Sequence, residues 1–188
     1  MFIRTTGDNE AEGKLRELYE GELKNLGYVP NHVRVFSPRP EVLETWRAFQ
    51  TSIRKNLRLR RYELVTLAAA QALHCRYCLL AHGTTLIKNG VSVDQLRAIL
   101  GDFRSAGLEP AEAALMEFAQ KVARSANEVT QADIDTLKTF GLSDVEIFDV
   151  TLTATMRSFA SKTFDALGAD PDEVYSDLER QLSDLLPA

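Results

Sequence analysis

The segment from residue 63 to residue 82, ELVTLAAAQALHCRYCLLAH, contains both cysteines of the chain and two of its three histidines. Cys75 and Cys78 are three residues apart, and His82 follows Cys78 by four. If a helix runs from residue 76 to about residue 88, these side chains share one face, because positions three, four and seven apart lie on the same side of a helix. The spacing therefore predicts two thiols and an imidazole at one place.

Three kinds of site use two thiols and an imidazole. A structural disulfide between Cys75 and Cys78 closes so small a loop that it would stabilise the fold very little. A zinc site would take both thiolates and His82, with His74 as a fourth ligand. The ligands of a structural zinc site commonly come from two separated segments, whereas these residues are close neighbours in the chain. Zinc binding therefore stays an alternative, and the structural disulfide is disfavoured.

Redox chemistry gives each of these residues a role. A thiolate attacks a peroxide oxygen and becomes a sulfenic acid, which a second thiol converts into a disulfide. The start of a helix favours a thiolate through its unpaired N–H groups and its dipole. His82 lies one turn from Cys78 and is the natural base for that thiol. Two alternatives stay open: a redox-sensing protein without catalysis, and a disulfide oxidoreductase in which Cys75 attacks first.

Glu63 could orient His82 as the third member of a proton relay, but its spacing argues against this role. In one straight helix Glu63 would lie about 18 Å before Cys75, at a rise of about 1.5 Å per residue. Only a break near His74 and Cys75 would bring it back across an antiparallel pair. From spacing alone, we expect Glu63 to be a solvated residue in the first turn of a helix.

The chain of 188 residues reads as helices throughout, and its length suits one domain, residues 1–188. Helix boundaries are signalled by prolines just inside a start, a glycine just after an end, and capping boxes. These signals are Pro40, Pro110, Gly27, Ser143 with Glu146, and Ser92 with Gln95. Apolar residues also recur at helical spacing from Val145 to Thr163, and we expect this stripe in the core. The sequence predicts an all-α, single-domain helical bundle.

Charge and hydropathy argue against several classes of protein. The formal net charge of -5 gives no reason to expect nucleic acid as a partner. The basic segment 54–61, RKNLRLRR, has no interleaved aromatic residues, so we expect a solvated surface there. The apolar run 64–73 is too short for a membrane span of about 20 residues. The first residues lack the apolar region of a signal peptide, so we expect a cytoplasmic protein with reduced thiols.

Aromatic residues outside this segment give a weaker signal. Trp46, Phe49 and Phe36 could line a pocket for an organic peroxide. Aromatic residues at helical spacing are more often core, however, and we expect these three there. His32 and Tyr28 lie in a turn beside Pro30, and the sequence indicates no role for either.

Two motifs resemble a known family. Residues 57–68 resemble L-x-x-R-E-L-x-x-L-A, with Tyr62 in place of the arginine, and Cys75, Cys78 and His82 form C-x-x-C-x-x-x-H. Together they resemble the core of the alkylhydroperoxidase D-like, carboxymuconolactone decarboxylase superfamily, over residues 40–100. The flanking stretches GYVPNHVRVFSPRPEVLETW and DALGADPDE resemble its peroxidase-related branch and extend the likeness over most of the chain.

This resemblance implies an all-helical, homo-oligomeric hydroperoxide reductase that acts on organic hydroperoxides and needs neither cofactor nor metal. It implies that Cys78 is the attacking thiol and that Cys75 is its proton donor and its partner in a disulfide. It also implies that Glu63 and His82 form the proton relay, contrary to the expectation from spacing. An external dithiol, such as a lipoamide-type carrier, would then reduce the disulfide between Cys75 and Cys78.

The sequence departs from the family pattern at two places. The best-characterised members have a histidine immediately before the second cysteine, where this chain has Tyr77. Tyrosine can donate a hydrogen bond but does not titrate near neutrality, so we expect Tyr77 to be an auxiliary residue. The branch also often shows Asn-Arg before the D-A-L-G run, where this chain has Ser161 and Lys162. Decarboxylation is not expected, because the decarboxylase branch lacks C-x-x-C.

Overall fold

The computed structural model describes residues 1–187, and all regular secondary structure in them is helical. The all-α prediction is therefore confirmed. The α-helices in this part of the chain are α1 (Gly13–Leu26), α2 (Asn31–Arg34), α3 (Pro40–Arg54), α4 (Leu59–Ala72), α5 (Arg76–Lys88), α6 (Val93–Asp102), α7 (Pro110–Ser125), α8 (Gln131–Thr139), α9 (Asp144–Ala166) and α10 (Ser176–Gln181). Short 3-10 helices cover Asp8–Glu10, Ala126–Glu128 and Glu173–Tyr175.

Most of the predicted helix boundaries follow the local signals in the sequence. Pro40 and Pro110 are the first residues of α3 and α7, where a missing N–H leaves no hydrogen bond unmade. Gly27 ends α1 with a φ of 82°, in the left-handed region that glycine adopts without strain. Ser143 and Glu146 form the predicted capping box of α9.

The second predicted capping box is only half formed. Ser92 accepts a hydrogen bond from the backbone N–H of Gln95 at the start of α6. The side-chain amide of Gln95, however, donates to the carbonyl of Ala106 at 2.6 Å instead of returning to Ser92. The prediction of a full box was wrong because a partner from the following loop replaces the local one.

Helix α4 lies at the centre of the fold. Ten of its residues between Tyr62 and Ala72 are buried, and the helix packs against α5, α7 and α9. A helix that is buried on all sides is apolar on all sides, which explains the apolar run of residues 64–73. No helix in residues 1–187 is both long enough and apolar enough to cross a membrane.

Helix α9 does not turn its apolar stripe to the core. Val145, Phe148 and Phe159 are 64%, 61% and 45% exposed, whereas Met156 is buried. The prediction of a core stripe was therefore wrong for these three residues. The buried face of α9 instead includes a line of polar residues four positions apart, among small apolar neighbours: Asp149, Thr153, Arg157 and Ser161. This polar line reaches the cysteines, because α9 packs against α4 and α5.

Candidate active site

The chain reverses between α4 and α5 at His74. His74 has a φ of 59°, its N–H donates to the carbonyl of Gln71, and the N–H of Cys75 donates to the carbonyl of Ala70. These two hydrogen bonds form a Schellman motif, in which glycine usually takes the left-handed position. The exposed His74 thus ends α4, which is one of the two roles that the sequence left open for it.

The reversal brings Glu63 against His82. Oε2 of Glu63 lies 2.6 Å from Nδ1 of His82, and the two side chains are 4% and 14% exposed. Glu63 is therefore not the solvated residue that its position in the first turns of α4 indicates. The break near His74 that such a contact requires is present. The pair has the geometry of a carboxylate that orients an imidazole.

The sulfur of Cys78 lies among hydrogen-bond donors. Nη1 of Arg157 and Oγ of Ser161 both lie 3.4 Å from its Sγ, and all three side chains are buried. Burial alone would raise the pKa of Cys78, but a hydrogen bond from Cys75 and the positive charges of Arg157 and His82 lower that pKa well below its ordinary value. The site therefore favours the thiolate form of Cys78.

Cys75 is held in the opposite protonation state. It is the residue before the first turn of α5, and it is buried. The hydrogen bond with Cys78 and burial raise the pKa of Cys75 far above its ordinary value. Both cysteines are free, so the structure shows the dithiol form of the pair. One thiol is thus ready to attack, and its neighbour keeps a proton.

A cavity of about 200 Å³ lies beside Cys78. Its lining is rich in aromatic residues: Trp46, Tyr77, Phe164 and Tyr175. His82, Arg47 and Arg157 add polar groups to the same walls. Of the aromatic residues expected in the core, Phe36 is buried, Trp46 lines this cavity, and Phe49 is 43% exposed.

Tyr77 points away from the Glu63–His82 pair. Its hydroxyl donates a short hydrogen bond to Oδ2 of the buried Asp172 and lies 2.9 Å from Nδ1 of His32. His32 lines the same cavity as Cys78, although the sequence indicated no role for it. Tyr77 is therefore auxiliary in position, because it connects the cavity wall to the segment that follows α9.

Residues 1–187 contain no ligand set for the zinc site that the sequence left as an alternative. No three histidine, cysteine, aspartate or glutamate side chains in this part of the chain come together in a group that could hold a metal ion. His82 is engaged by Glu63, and Arg157 takes up a position beside Cys78. A guanidinium at that sulfur would repel a cation.

Residues 40–121 match the family model described as carboxymuconolactone decarboxylase family. Over these residues, which are less than half of the chain, the sequence is similar to that family. The matched part contains Glu63, Cys75, Cys78 and His82, which are the residues that the resemblance in sequence singled out. No curated protein matches the chain with significance.

Several solved structures have the same fold as this chain. One is an alkylhydroperoxidase AhpD core, an uncharacterized peroxidase-related protein from Ralstonia eutropha JMP134, with 21% identity over 93% of each chain and a TM-score of 0.81. Another peroxidase-related protein, from Silicibacter sp. TM1040, has 21% identity over 93% of this chain and 91% of its own, with a TM-score of 0.78. A variant of the debrominase Bmp8 in complex with 2,3,4-tribromopyrrole has 15% identity over 97% of each chain and a TM-score of 0.80.

Several residues at this site lie outside residues 40–121. They are His32, Arg157, Ser161 and Asp172. Three of them were not predicted from the sequence, and the fourth, Ser161, was noted only as a departure from the branch pattern. One signal could have found Arg157 and Ser161: polar residues every four positions in a long helix rich in small residues. No local signal connects His32 with Asp172, because the contact is made through Tyr77.

Proposed function

We propose that the protein is a thiol-dependent hydroperoxide reductase that cycles between a dithiol and a disulfide at Cys75 and Cys78. The observation that carries the proposal is the environment of Cys78: a buried sulfur at a cavity wall, 3.4 Å from the guanidinium of Arg157, with its pKa lowered and a protonated thiol beside it. A low-pKa thiol next to a resolving cysteine is the arrangement that peroxide-reducing sites use.

The first step consumes the peroxide. The Cys78 thiolate attacks the terminal oxygen of the hydroperoxide, an S–O bond forms, and the O–O bond breaks. Cys78 becomes a sulfenic acid, and the peroxide receives two electrons. The departing alkoxide takes from His82 the proton that the Cys78 thiol gave up, and the carboxylate of Glu63 orients that imidazole. The products of this step are an alcohol and the oxidised enzyme.

The second step closes the disulfide. Cys75 gives its proton to the now neutral His82 and attacks the sulfur of the Cys78 sulfenic acid. An S–S bond forms, and the hydroxide that leaves takes that proton and departs as water. Both thiols are buried, and the sequence contains no third cysteine that could reduce their disulfide. An external dithiol, such as a lipoamide-type carrier, returns the pair to the dithiol by thiol–disulfide exchange.

The mass of the intact protein tests this proposal. Reduced, chelator-treated protein is mixed with one equivalent of an organic hydroperoxide. We expect the wild type to lose two hydrogens, Cys75→Ser to gain one oxygen, and Cys78→Ser to stay unchanged. A wild type whose mass does not change within many minutes would contradict the proposal, and metal analysis of untreated protein would then test the zinc alternative.

Reductive dehalogenation is a second candidate function. The aromatic walls of the cavity favour a planar substrate, and a debrominase shares the fold. The Cys78 thiolate would attack the halogen, and the carbanion left behind would take a proton from His82. Cys75 would then displace halide from the sulfur of Cys78 to form the same disulfide. Release of bromide from a brominated pyrrole, together with loss of both thiols, would support this function over peroxide reduction.

We also propose that the protein is a homo-oligomer, as the family resemblance implies. Val145, Phe148 and Phe159 follow one another on one side of α9 and are exposed. Phe49 of α3 is exposed as well, and it lines a surface groove together with Phe159. Large apolar residues exposed on one side of a helix commonly mark an interaction surface. A second copy of the chain is the partner that we assign to this surface.

A further inference from the structure

His32 belongs to a hydrogen-bond network behind the cavity wall. The hydroxyl of Tyr77 donates to Oδ2 of Asp172, and the other carboxylate oxygen of Asp172 accepts the backbone N–H of Asn31 at 2.8 Å. The backbone N–H of His32 donates to the Tyr77 oxygen at 3.4 Å, and Nδ1 of His32 lies 2.9 Å from it. The network joins α2, the start of α5 and the segment after α9.

This network fixes the tautomer of His32. The single proton of the Tyr77 hydroxyl is directed to Asp172, so the phenol oxygen can only accept a hydrogen bond from the imidazole. Nδ1 of His32 therefore carries the proton, and Nε2 keeps a free lone pair. Burial, together with the positive charges of Arg47 and Arg157, lowers the pKa of His32 to about 3, so the ring stays neutral near neutral pH.

The other polar residues that line the cavity include donors as well as Gln50 and Thr85, whose oxygens can accept. Arg47 and Arg157 supply positive charge at its walls, and Arg47 also donates to Glu22. The indole N–H of Trp46 is buried without a hydrogen-bond partner in the part of the chain that the structure describes. Nε2 of His32 is a fixed acceptor among these donors. A hydroperoxide needs both kinds of group, because its terminal O–H donates and its leaving oxygen accepts as the O–O bond breaks.

We propose that His32 positions the substrate: its Nε2 accepts the hydrogen bond from the terminal O–H of the hydroperoxide and holds that oxygen towards the sulfur of Cys78. This inference rests on the proposed peroxide chemistry and adds to it a residue outside the cysteine motif. His32 takes no proton in this role. The donors on the opposite side of the peroxide would then face the oxygen on which negative charge develops.

Two reagents separate a positioning role from a structural one. Cumene hydroperoxide carries the O–H that His32 would bind, whereas methyl methanethiosulfonate reacts with the same thiolate and has no O–H or N–H. In the His32→Phe variant we expect the rate of Cys78 oxidation by the hydroperoxide to fall about tenfold, the usual effect of one lost hydrogen bond. The rate with methyl methanethiosulfonate should stay within about twofold of wild type.

Two further variants keep the test decisive. His32→Gln places an amide oxygen near the position of Nε2 and should recover most of the rate with the hydroperoxide. Tyr77→Phe leaves His32 in place but removes the hydroxyl that fixes its tautomer. This variant should slow the reaction with the hydroperoxide but not the reaction with methyl methanethiosulfonate. Thermal melting of each variant reports whether it folds, so Tyr77→Phe carries the test if His32→Phe does not.

The outcomes that overturn the inference differ from those that overturn the proposed function. If His32→Phe and Tyr77→Phe each lowered the reaction rates with both reagents equally, the network would only support the fold around Cys78. An unchanged hydroperoxide rate in both variants would show that His32 does not contact the substrate. A wild type that reacts with methyl methanethiosulfonate but not with the hydroperoxide would overturn the peroxide chemistry itself, and this inference with it.

Discussion

Cys75 and Cys78 are identical residues three positions apart, yet their surroundings drive their pKa values in opposite directions. The hydrogen bond between them and burial raise the pKa of Cys75, whereas that same hydrogen bond, with Arg157 and His82, lowers the pKa of Cys78 against the effect of burial. The thiolate is the nucleophile, so Cys78 attacks first in the mechanism that we propose. This assignment argues against a disulfide oxidoreductase in which Cys75 attacks.

Arg157 controls the pH range over which Cys78 reacts. Because the surroundings lower the pKa of Cys78, we expect its alkylation rate in wild type to fall less between about pH 8 and about pH 6 than the rate of an ordinary thiol. Arg157→Met removes the charge at the sulfur and raises the pKa of Cys78. Once that pKa lies above about 6.5, the rate at about pH 6.5 should fall by about tenfold for each further unit, and the rate should approach wild type at high pH.

Iodoacetamide alkylation of a Cys75→Ser background, followed by mass, measures this profile for Cys78 alone. Arg61→Met is the matched control, since Arg61 pairs with Glu146 on the surface of α9 and does not line the cavity. Its profile should match wild type. An Arg157→Met profile that also matches wild type would show that the guanidinium does not set the charge state of Cys78.

At the scale of helices, the sequence predicts single elements better than the contacts between them. The starts of α3 and α7 at Pro40 and Pro110 are local, because the missing N–H of proline acts within its own turn. The reversal at His74 is not visible, because a histidine occupies the left-handed position that glycine usually marks. The burial of Glu63 depends on that reversal, so only the family resemblance placed it in the site.

The orientation of α9 was wrongly predicted from the sequence for a related reason. An apolar stripe indicates a buried face only when the other faces are solvated. The opposite face of α9 carries Arg157 and Ser161, which are buried because Cys78 provides a partner for them. The position of His32 at the cavity wall could not be predicted either, because its contact with Tyr77 joins residues 45 positions apart in the chain. Local pattern cannot report a polar contact between distant segments.

The Glu63–His82 contact joins α4 to α5. Removing only His82 should destabilise the protein more than replacing both residues. His82→Ala leaves the buried carboxylate of Glu63 without its partner, which should lower the free energy of unfolding by about 3–5 kcal/mol. The double variant Glu63→Leu/His82→Ala buries no charge and should recover most of that loss. Urea unfolding followed by circular dichroism measures both values.

The single variant Glu63→Leu completes the double-mutant cycle for this pair. The prediction requires that the two single losses do not add. If the double variant is destabilised by the sum of the single variants, the two side chains are independent and the 2.6 Å contact contributes no coupling between α4 and α5.

At the scale of the whole molecule, the buried and exposed sides of α9 have different roles. The inward polar line serves the cysteines, and this leaves large apolar residues on the outside. Large apolar residues on the outer face of a helix are unfavourable in an isolated monomer, because they stay in contact with water. A second copy that covers Val145 and Phe148 would remove this cost, which connects the chemistry at Cys78 to self-association.

Phe148→Glu should therefore shift the protein from an oligomer towards the 21.0 kDa of the single chain. The substitution places a charge at the middle of the exposed stripe, where its desolvation in an interface would be unfavourable. Size-exclusion chromatography with light scattering measures the mass. Val174→Glu is the control, because Val174 is 59% exposed and lies outside α9. A wild type that elutes as a single chain, or a Phe148→Glu variant that keeps the wild-type mass, would contradict an interface built on this stripe.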